Sequence, residues 1–237
     1  MTGVQTCALP ISQGYRRLLS ELAGRQLQRR GITDEAVLFW LGKLSLPSGY
    51  TLALDGLQTE ILSLQKENRQ LSFQAHHDQL TSLPNRHYFY EELLNIFENP
   101  LFRHNSALIF IDNNKFKLIN DQFGHLAGDA VLREMAQRLK LSVRQEDFIA
   151  RLGGDEFAII LHAIHHADHL KAIAEGLLAS SVEPLNFNGE IIHFGFSLGI
   201  AFSQFAENPE DLVMQADQAM YKAKNLNPHW FLYKPEI

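Results

Sequence analysis

The residues best suited to chemistry in this chain are two adjacent acids, Asp155 and Glu156, which follow a Gly-Gly pair. Apolar runs at 148–150 and 157–161 flank this centre, and two such runs around Gly-Gly predict a β-hairpin with a tight two-residue turn. Neighbouring strand residues point to opposite faces of a sheet, so at most one of the two acids can face the core. Acids on the tip of such a hairpin indicate metal or phosphate chemistry. The hairpin alone leaves a solvated turn open as the alternative.

The bulk composition sets the limits within which this chemistry must be placed. The chain has 237 residues, 46% of them hydrophobic and 20% charged, which is typical of one large or two small soluble domains. A net charge of −6 argues against broad nucleic-acid binding through phosphate neutralisation. No apolar run approaches the roughly 18 residues of a membrane helix. The single cysteine, Cys7, excludes an intramolecular disulfide and fits a reducing cytoplasm.

The first twelve residues are expected to be foreign to the protein. Residues 2–11 resemble the translation of a common sequencing-adapter oligonucleotide. We therefore exclude residues 1–12 from the fold prediction, as one would a cloning scar. On this interpretation Cys7 is not native and natural sequence upstream is missing; a genuine disordered leader is the alternative.

A short helical hairpin is predicted over residues 13–50. Leucines recur at helical spacing between residues 15 and 30, and Gly31 ends that helix. Thr33 then fits a helix N-cap with acids in the following turn, and a second helix would run to about Leu44. The pair is too small to bury a core alone. We expect it to pack on a second copy, on the next helix or on a regulatory protein.

A heptad repeat over residues 51–78 predicts a coiled-coil stalk. Positions spaced alternately by three and four are Leu54, Leu57, Ile61, Leu64, Asn68, Leu71, Ala75 and Asp78. Ile61 at position a with leucines at d favours two parallel strands, and Asn68 at position a fixes their register. The stalk would place two copies of the following domain side by side. The alternative is one amphipathic helix packed on its own domain.

Residues 79–237 alternate between helical and strand patterns. The predicted strands lie at 107–111, at the hairpin, at 191–202 and at 230–233, with Asp112 at the end of the first. The predicted helices lie at about 86–97 (ended by Pro100), 124–141, 168–178 and 209–224. This mixture predicts an α+β fold in which helices pack on one face of a sheet.

The order of the motifs in this half resembles one known family, the GGDEF domain of bacterial diguanylate cyclases. The motifs are His77-Asp78-Gln79-Leu80-Thr81, Leu83-Pro84-Asn85-Arg86, Asp112, Phe116-Lys117-Leu118-Ile119-Asn120-Asp121, Gly124-His125, Gly128-Asp129, Arg151 to Phe157, Ser197-Leu198-Gly199-Ile200 and Ala216 to Lys224. The resemblance implies a fold like the polymerase palm and the class III nucleotide cyclases. It also implies that two GTP become cyclic di-GMP and two pyrophosphates, with one GTP held by each subunit of a dimer in the bacterial cytoplasm.

By this resemblance, Asp112, Asp155 and the backbone carbonyl of Asn113 hold two Mg²⁺ ions, with Mn²⁺ as an alternative. Oxygen ligands suit Mg²⁺, and two metals can stabilise both the attacking oxygen and the departing pyrophosphate. Glu156, the second acid of the signature, is expected to help polarise the attacking hydroxyl.

The resemblance assigns guanine recognition to Asn120 and Asp129. A carboxylate accepts from the N1–H and N2–H₂ donors of guanine, whereas adenine presents an acceptor at N1, so Asp129 favours GTP over ATP. Lys117 and Lys224 stand where the family binds phosphate, although a surface lysine is the alternative for Lys224.

Arg144 and Asp147 form an Arg-x-x-Asp motif six residues before Gly153, at the position of the family's inhibitory product site. Arginine stacks on guanine and grips phosphate in a fork, while aspartate accepts from the guanine edge. We therefore expect cyclic di-GMP to bind there as an inhibitor. A surface ion pair is the alternative.

Several positions depart from the family's usual pattern. Asn113 and Asn114 follow Asp112 where the family commonly has an apolar residue and a second Asp, which removes negative charge near the metals. Asn227-Pro228-His229 replaces the usual Gly-Arg-Asn, so a phosphate-contacting arginine is absent, and Ser82 replaces a glycine with little expected effect. These departures leave open an inactive GGDEF module that serves as a cyclic di-GMP receptor or scaffold.

A histidine-rich stretch offers a third interpretation, a metal site made of His162, His165, His166 and His169. His165 and His169 have the spacing of helix ligands. The supporting cysteines and carboxylates are absent apart from Asp168, so exposed histidines are the simpler explanation.

Overall fold

The computed structural model describes residues 48–164 and 167–235. The adapter-like segment and the two helices predicted over 15–44 lie outside these residues. The chain divides after Asn68 into two compact units. No helix of the described part is long and apolar enough to cross a membrane.

Seven α-helices and seven strands make up the described part, in the following order: α1 Ser48–His76, α2 Arg86–Glu98, α3 Pro100–Asn105, β1 Ala107–Asn113, α4 Phe116–Phe123, α5 His125–Ser142, β2 Phe148–Gly153, β3 Glu156–Leu161, α6 Ala167–Ser180, β4 Leu185–Phe187, β5 Glu190–Ile192, β6 Phe196–Phe202, α7 Pro209–Ala223 and β7 Trp230–Leu232. A 3₁₀ turn at Ser203–Phe205 precedes α7.

Helix α1 carries the predicted heptad and leaves much of its apolar side chains in solvent. Ile61, Leu64 and Leu71 are 39%, 58% and 58% exposed in the single chain. An exposed apolar seam is what a coiled coil would bury, but the coiled coil itself stays a prediction. The helix ends at His76, so Asp78 does not belong to the heptad. Its carboxylate instead accepts hydrogen bonds from the backbone and hydroxyl of Thr81.

The main sheet has the order β2-β3-β1-β6-β7, and all its pairs are antiparallel except β6 with β7. The central strand β1 places Asp112 opposite Glu156 of β3 and opposite Ser197 of β6. Strands β4 and β5 form a separate hairpin. The continuous strand predicted over 191–202 is therefore wrong, because Ile191 and Ile192 belong to this second sheet.

Helices cover both faces of the sheet, so the prediction of a one-sided sheet is wrong. Alternate residues of β1 belong to two different hydrophobic clusters. Ile109 and Ile111 lie in one cluster with residues of α5 and α6. Leu108 and Phe110 lie in the other with residues of α2 and α7. A continuous apolar run such as 107–111, with no alternation, is the pattern of a strand buried on both faces.

The sequence analysis did not predict helices α3 and α4. Helix α2 ends at Glu98, as the position of Pro100 predicted. Pro100 itself lies in the first turn of a further helix, α3, and the side chain of Asn99 caps that helix by accepting from the backbone N–H of Leu101. Proline suits that position because the first amides of a helix have no partner within it. Helix α4 begins after Lys115, which has a φ of 63°.

Gly199 sets how closely α7 approaches the sheet. It is buried in β6, and a Cβ there would collide with the backbone of Ala216 and Met220 in α7. The glycine thus permits backbone-to-backbone packing at the point where α7 crosses β6.

We predict that Gly199→Ala lowers the free energy of unfolding by about 2–3 kcal/mol, because the added methyl group forces α7 away from the sheet. Gly176→Ala in α6 is the matched control, since a Cβ there meets open space. It should be neutral or stabilise by about 0.5–1 kcal/mol, the usual helix preference for alanine. Urea unfolding measures both variants, and a Gly199→Ala protein as stable as wild type would contradict the packing argument.

Candidate active site

Three carboxylates meet where β1 and β3 lie side by side. Asp112 lies on β1 directly opposite Glu156, the first residue of β3. Asp155 precedes Glu156 in the hairpin turn. The turn differs from the prediction by one residue, because Gly153 still pairs with Glu156 and the turn residues are Gly154 and Asp155. An irregularity in the pairing between Arg151 and Gly153 causes the shift.

The two glycines of the hairpin have positive φ values, 139° for Gly153 and 54° for Gly154. A side chain at either position would be strained in this conformation. The Gly-Gly pair therefore permits the backbone conformation in which the chain reverses at Gly154 and Asp155.

The crowded carboxylates repel one another. Burial and the nearby Asp112 raise the pKa of Asp155 above its ordinary value. Burial also raises the pKa of Glu156, and the negative charges of Asp112, Asp155 and Asp217 raise it further. The positive charge of Arg86 opposes this rise only in part. Such a site gains free energy from any cation that enters it.

One cation of the chain already lies in the site. Lys224, at the C-terminal end of α7, places its Nζ 3.0 Å from Oδ2 of Asp112. Its charge also opposes part of the rise in the pKa of Asp155, without reversing it. Lys224 and Arg86, which lies 3.7 Å from Glu156, leave the site net negative because the three carboxylates outnumber these two cations.

Arg151 holds the hairpin turn in place, a role that the sequence analysis did not assign. Its Nη1 donates to both carboxylate oxygens of Asp78, at 2.9 and 3.1 Å. Its Nε and Nη2 donate to the carbonyl oxygen of Gly154, at 3.1 and 2.7 Å. The forked guanidinium thus ties the turn that carries Asp155 to the segment that follows α1.

Arg86 forms a second connection between the start of α2 and the hairpin. Its Nε donates to the carbonyl oxygen of Leu152 at 3.0 Å, and its Nη2 lies 3.7 Å from Oε2 of Glu156. The turn end of the hairpin is therefore braced by contacts with residues about 65 to 75 positions earlier in the chain.

A cavity of about 800 Å³ opens beside the carboxylates. Its walls come from β1, α4, the segment between β5 and β6, and the end of α7, and they are Asp112, Asn114, Lys115, Leu118, Ile119, Gln122, Phe123, Ile191, His193, Phe194, Gly195, Lys224 and His229. A smaller cavity of about 430 Å³ adjoins Asp112, Glu156 and Lys224 on the α7 side. The volumes are those of a small-molecule site.

The residues expected to recognise guanine, Asn120 and Asp129, are not among the lining residues of this cavity. The half-buried Asn120 of α4 contacts Gly128 of α5, where a Cβ would collide with the Asn120 amide. Asp129 follows Gly128 and is also half-buried. Lys117 is exposed on the first turn of α4. The glycine thus allows Asn120 to lie directly on the turn that carries Asp129.

The two asparagines after Asp112 serve the fold in different ways. The side chain of Asn113 is buried, and its Nδ2 donates to Sδ of Met135 at 3.1 Å. The Oδ1 of Asn114 accepts a hydrogen bond from the Ser197 hydroxyl at 2.6 Å. Asn114 faces the large cavity as a neutral amide, so this position adds no charge to the site.

The other departures from the family pattern have local explanations. Ser82 has a φ of 56°, in the region that favours glycine, so the serine costs about 1 kcal/mol of backbone strain. His229 lines the large cavity, and its carbonyl oxygen accepts from the backbone N–H of Leu198.

Arg144 and Asp147 lie at a separate groove of about 560 Å³ between the end of α5 and the start of β2. The carboxylate of Asp147 accepts from the backbone N–H groups of Arg144 and His162. Among the residues that the structure describes, no ion pair joins the two side chains, so the surface-ion-pair alternative is not supported. The Arg144 side chain is exposed and free to contact a ligand.

The histidines of the 162–169 stretch do not assemble into a metal centre within the described residues. The Nε2 of His162 lies 3.9 Å from Glu92, and its ring packs near Phe102. His165 and His166 lie outside the described residues.

Comparison with known proteins identifies the family. The family model "Diguanylate cyclase, GGDEF domain" matches residues 75–228. The diguanylate cyclase TpbB of Pseudomonas aeruginosa is 40% identical over 182 residues, which are 76% of this chain and 42% of TpbB. The chain therefore spans less than half the length of this relative. It belongs to the GGDEF diguanylate cyclase family, and the palm-like α+β fold predicted for it is confirmed.

Two solved structures extend beyond the GGDEF domain. The coiled coil and GGDEF domain of DgcB from Caulobacter crescentus, in complex with c-di-GMP, matches with a TM-score of 0.70 and 25% identity, over 78% of this chain and 99% of DgcB's. Diguanylate cyclase SiaD of Pseudomonas aeruginosa, in complex with its activator SiaC, matches with a TM-score of 0.61 and 25% identity, over 93% of this chain and 89% of SiaD's.

The brace between Asp78 and Arg151 generates a prediction about pH. Burial alone would raise the pKa of Asp78, but hydrogen bonds from Thr81 and Arg151 outweigh it and hold the pKa below its ordinary value. A depressed pKa contributes stability that is present at neutral pH and lost as the pH falls through the folded-state pKa.

We therefore expect Asp78→Asn to be less stable than wild type by about 1–2 kcal/mol at neutral pH, and the difference to shrink below about pH 4. Urea unfolding across this pH range measures the effect. Glu190→Gln, at an exposed acid of β5, is the control and should leave stability unchanged. A difference that stays constant across the pH range would show that the Asp78 charge does not contribute.

Proposed function

We propose that this chain is a diguanylate cyclase that condenses two GTP into cyclic di-GMP with release of two pyrophosphates, and that it acts as a dimer. The observation that carries the proposal is the crowding of Asp112 and Asp155 beside Lys224, next to a cavity large enough for a nucleotide. GTP as substrate places the reaction in the bacterial cytoplasm.

The donor set fits a divalent metal. The half-buried carboxylates Asp112 and Asp155, with oxygen as the only ligand atom, match the hard Mg²⁺ ion. We assign Asp112, Asp155 and the backbone carbonyl of Asn113 to two Mg²⁺ ions, with Mn²⁺ as a substitute. When bound, such ions neutralise phosphate charge and polarise the reacting oxygens.

Substrate binding follows from charge and shape. Asn120, whose amide contacts Gly128, and Asp129, the residue after that glycine, are proposed to hold the guanine edge. Lys117 and Lys224 supply positive charge for the phosphates, and Lys224 would exchange its contact with Asp112 for a phosphate oxygen. A carboxylate at position 129 selects guanine because adenine would leave it unpaired.

In the proposed reaction the 3′-hydroxyl of one GTP attacks the α-phosphorus of the other. A phosphodiester bond forms, the bond to the β-phosphate oxygen breaks, and pyrophosphate leaves. We propose that Glu156, whose pKa is raised by burial, accepts the hydroxyl proton. The step occurs twice, once in each direction, so two domains must face one another.

The domain boundaries that we propose follow from this requirement. Residues 51–78 form the dimerisation stalk and residues 79–237 the catalytic domain, while residues 1–12 are foreign and residues 13–50 a helical hairpin. The exposed seam of α1 supports the stalk. Because SiaD, crystallised with its activator SiaC, aligns with 93% of this chain, we propose that residues 13–50 accept a regulatory protein.

A second candidate is a receptor that binds cyclic di-GMP without making it. The neutral Asn114, which faces the cavity where the family commonly has a carboxylate, favours this reading. The groove at Arg144 and Asp147 would then be its working site.

The decisive experiment incubates the protein with GTP and Mg²⁺ and separates the products by chromatography. We expect the wild type to make cyclic di-GMP. In Asp155→Ala the rate of synthesis should fall about 100-fold or more, because several kcal/mol of metal-dependent transition-state stabilisation is lost. Light scattering should show that the variant remains a dimer. Asp168→Ala, at an exposed acid of α6, is the control and should keep full activity.

Near wild-type turnover in Asp155→Ala would overturn the metal assignment. No product from wild type at any enzyme concentration, with cyclic di-GMP binding retained, would instead support the receptor.

Product inhibition gives a separate test. We propose that Arg144 and Asp147 bind cyclic di-GMP as an inhibitor, so Arg144→Ala should raise the half-inhibiting concentration about tenfold or more through loss of a charged phosphate contact. Arg133→Ala, at an exposed arginine of α5, is the control. Inhibition by added cyclic di-GMP that is unchanged in Arg144→Ala would remove the regulatory role.

A further inference from the structure

Two histidines and a glutamate meet where the last turn of α1 lies against α2. His76 ends α1, while His87 and Glu91 lie one turn apart on α2. Nε2 of His76 lies 3.4 Å from Oε2 of Glu91, and Nε2 of His87 lies 3.3 Å from Oε1 of the same carboxylate. The ligand atoms of all three residues lie within 4.8 Å of one another.

The hydrogen bond at the other side of the His76 ring determines which ring nitrogen carries the proton. Nδ1 lies 2.8 Å from the carbonyl oxygen of Ser72, which can only accept, so Nδ1 carries the proton. In the neutral ring the lone pair of Nε2 then points to the Glu91 carboxylate, and two acceptors face each other. The contact is favourable only with a proton or a metal ion between them. Metal-binding histidines are typically oriented by a bond of this kind, from the second ring nitrogen to a carbonyl oxygen.

The separations fit a tetrahedral ion. Bonds of about 2.0–2.1 Å to a tetrahedral Zn²⁺ place neighbouring ligand atoms about 3.3–3.4 Å apart. Each histidine nitrogen lies at about this separation from a carboxylate oxygen of Glu91, His76 from Oε2 and His87 from Oε1, so a small rotation is needed for one oxygen to serve as the shared ligand atom. The ring of His87 is largely exposed, so it can rotate to complete the set and leaves the fourth position open to water.

Neighbouring contacts hold the site in shape. Tyr88 packs edge-on against the ring of His76, with centroids 5.2 Å apart, and also against Phe148 of β2. The Nδ2 of Asn85 donates to the carbonyl oxygen of Ala75, which ties the end of α1 to the start of α2. The two ligand-bearing elements are therefore joined even before an ion binds.

We propose that His76, His87 and Glu91 form a binding site for Zn²⁺ or a similar borderline divalent metal, distinct from the Mg²⁺ site of the catalytic carboxylates. Two imidazoles and one carboxylate favour Zn²⁺ over Mg²⁺, which prefers oxygen ligands. His87 directly follows Arg86, whose guanidinium contacts the catalytic hairpin. A bound ion would fix the joint between the last turn of α1 and the start of α2.

Isothermal titration with Zn²⁺ alone, in excess Mg²⁺ to occupy the oxygen site, tests the proposal on the whole chain. We expect one Zn²⁺ per chain in wild type and a more than tenfold loss of affinity in both His87→Ala and Glu91→Gln, because each removes a ligand. Zn²⁺ should also raise the melting temperature of wild type but not of these variants. His87 is exposed, so its replacement leaves the fold intact, which circular dichroism verifies.

Two controls separate this site from other histidines. His104→Ala, at an exposed residue of α3, should bind Zn²⁺ as wild type does. A double variant, His165→Ala with His166→Ala, should do the same. Equal Zn²⁺ affinity in wild type, His87→Ala and Glu91→Gln would overturn the proposal and leave a histidine–carboxylate ion pair. Loss of binding in the double variant alone would transfer the site to the 162–169 stretch.

Discussion

The antiparallel pairing of β1 with β3 forces Asp112 and Glu156 into register at a strand end, and the adjoining turn adds Asp155. Burial and the nearby charge of Asp112 raise the pKa of Asp155, as expected for like charges that are half-withdrawn from water. The fold maintains this repulsion because apolar strands and helices on both sides of the sheet hold the backbone in place. Lys224 offsets part of the charge, and the rest is available to bind cations.

The hairpin that carries Asp155 is short, and residues outside it keep it rigid. Arg151 connects its turn to Asp78, and Arg86 connects its first strand and Glu156 to the start of α2. Asp78 lies directly after α1, and Arg86 is the first residue of α2. Movement of the segment between these two helices would therefore reach the hairpin turn through two guanidinium groups. The proposed zinc site lies at the ends of the same segment, next to Arg86.

Local pattern predicted much of this structure from the sequence. The helices expected over 124–141 and 209–224 are His125–Ser142 and Pro209–Ala223, and the strand before Asp112 is correct. The turn was placed one residue early because an irregular strand pairing depends on the partner strand, which sequence does not show. The break between β5 and β6 was missed although His193 and Gly195 interrupt the apolar run, and a glycine within a strand pattern could have indicated it. The burial of β1 on both faces could have been inferred from its unbroken apolar run.

Long-range contacts explain what the sequence could not predict about the site. The motifs singled out Asp112, Asp155 and Lys224, but not that Lys224 pairs with Asp112, 112 residues away, or that Arg151 reaches Asp78. Those contacts exist only after the sheet forms.

The central claim, that Asp112 and Asp155 act together on one metal–nucleotide complex, is tested most directly by titrating Mn²⁺ in the presence of a non-hydrolysable GTP analogue. The account predicts that Asp112→Asn loses most of the Mn²⁺ affinity of wild type while remaining folded; Mn²⁺ binding of wild-type strength in this variant would contradict it.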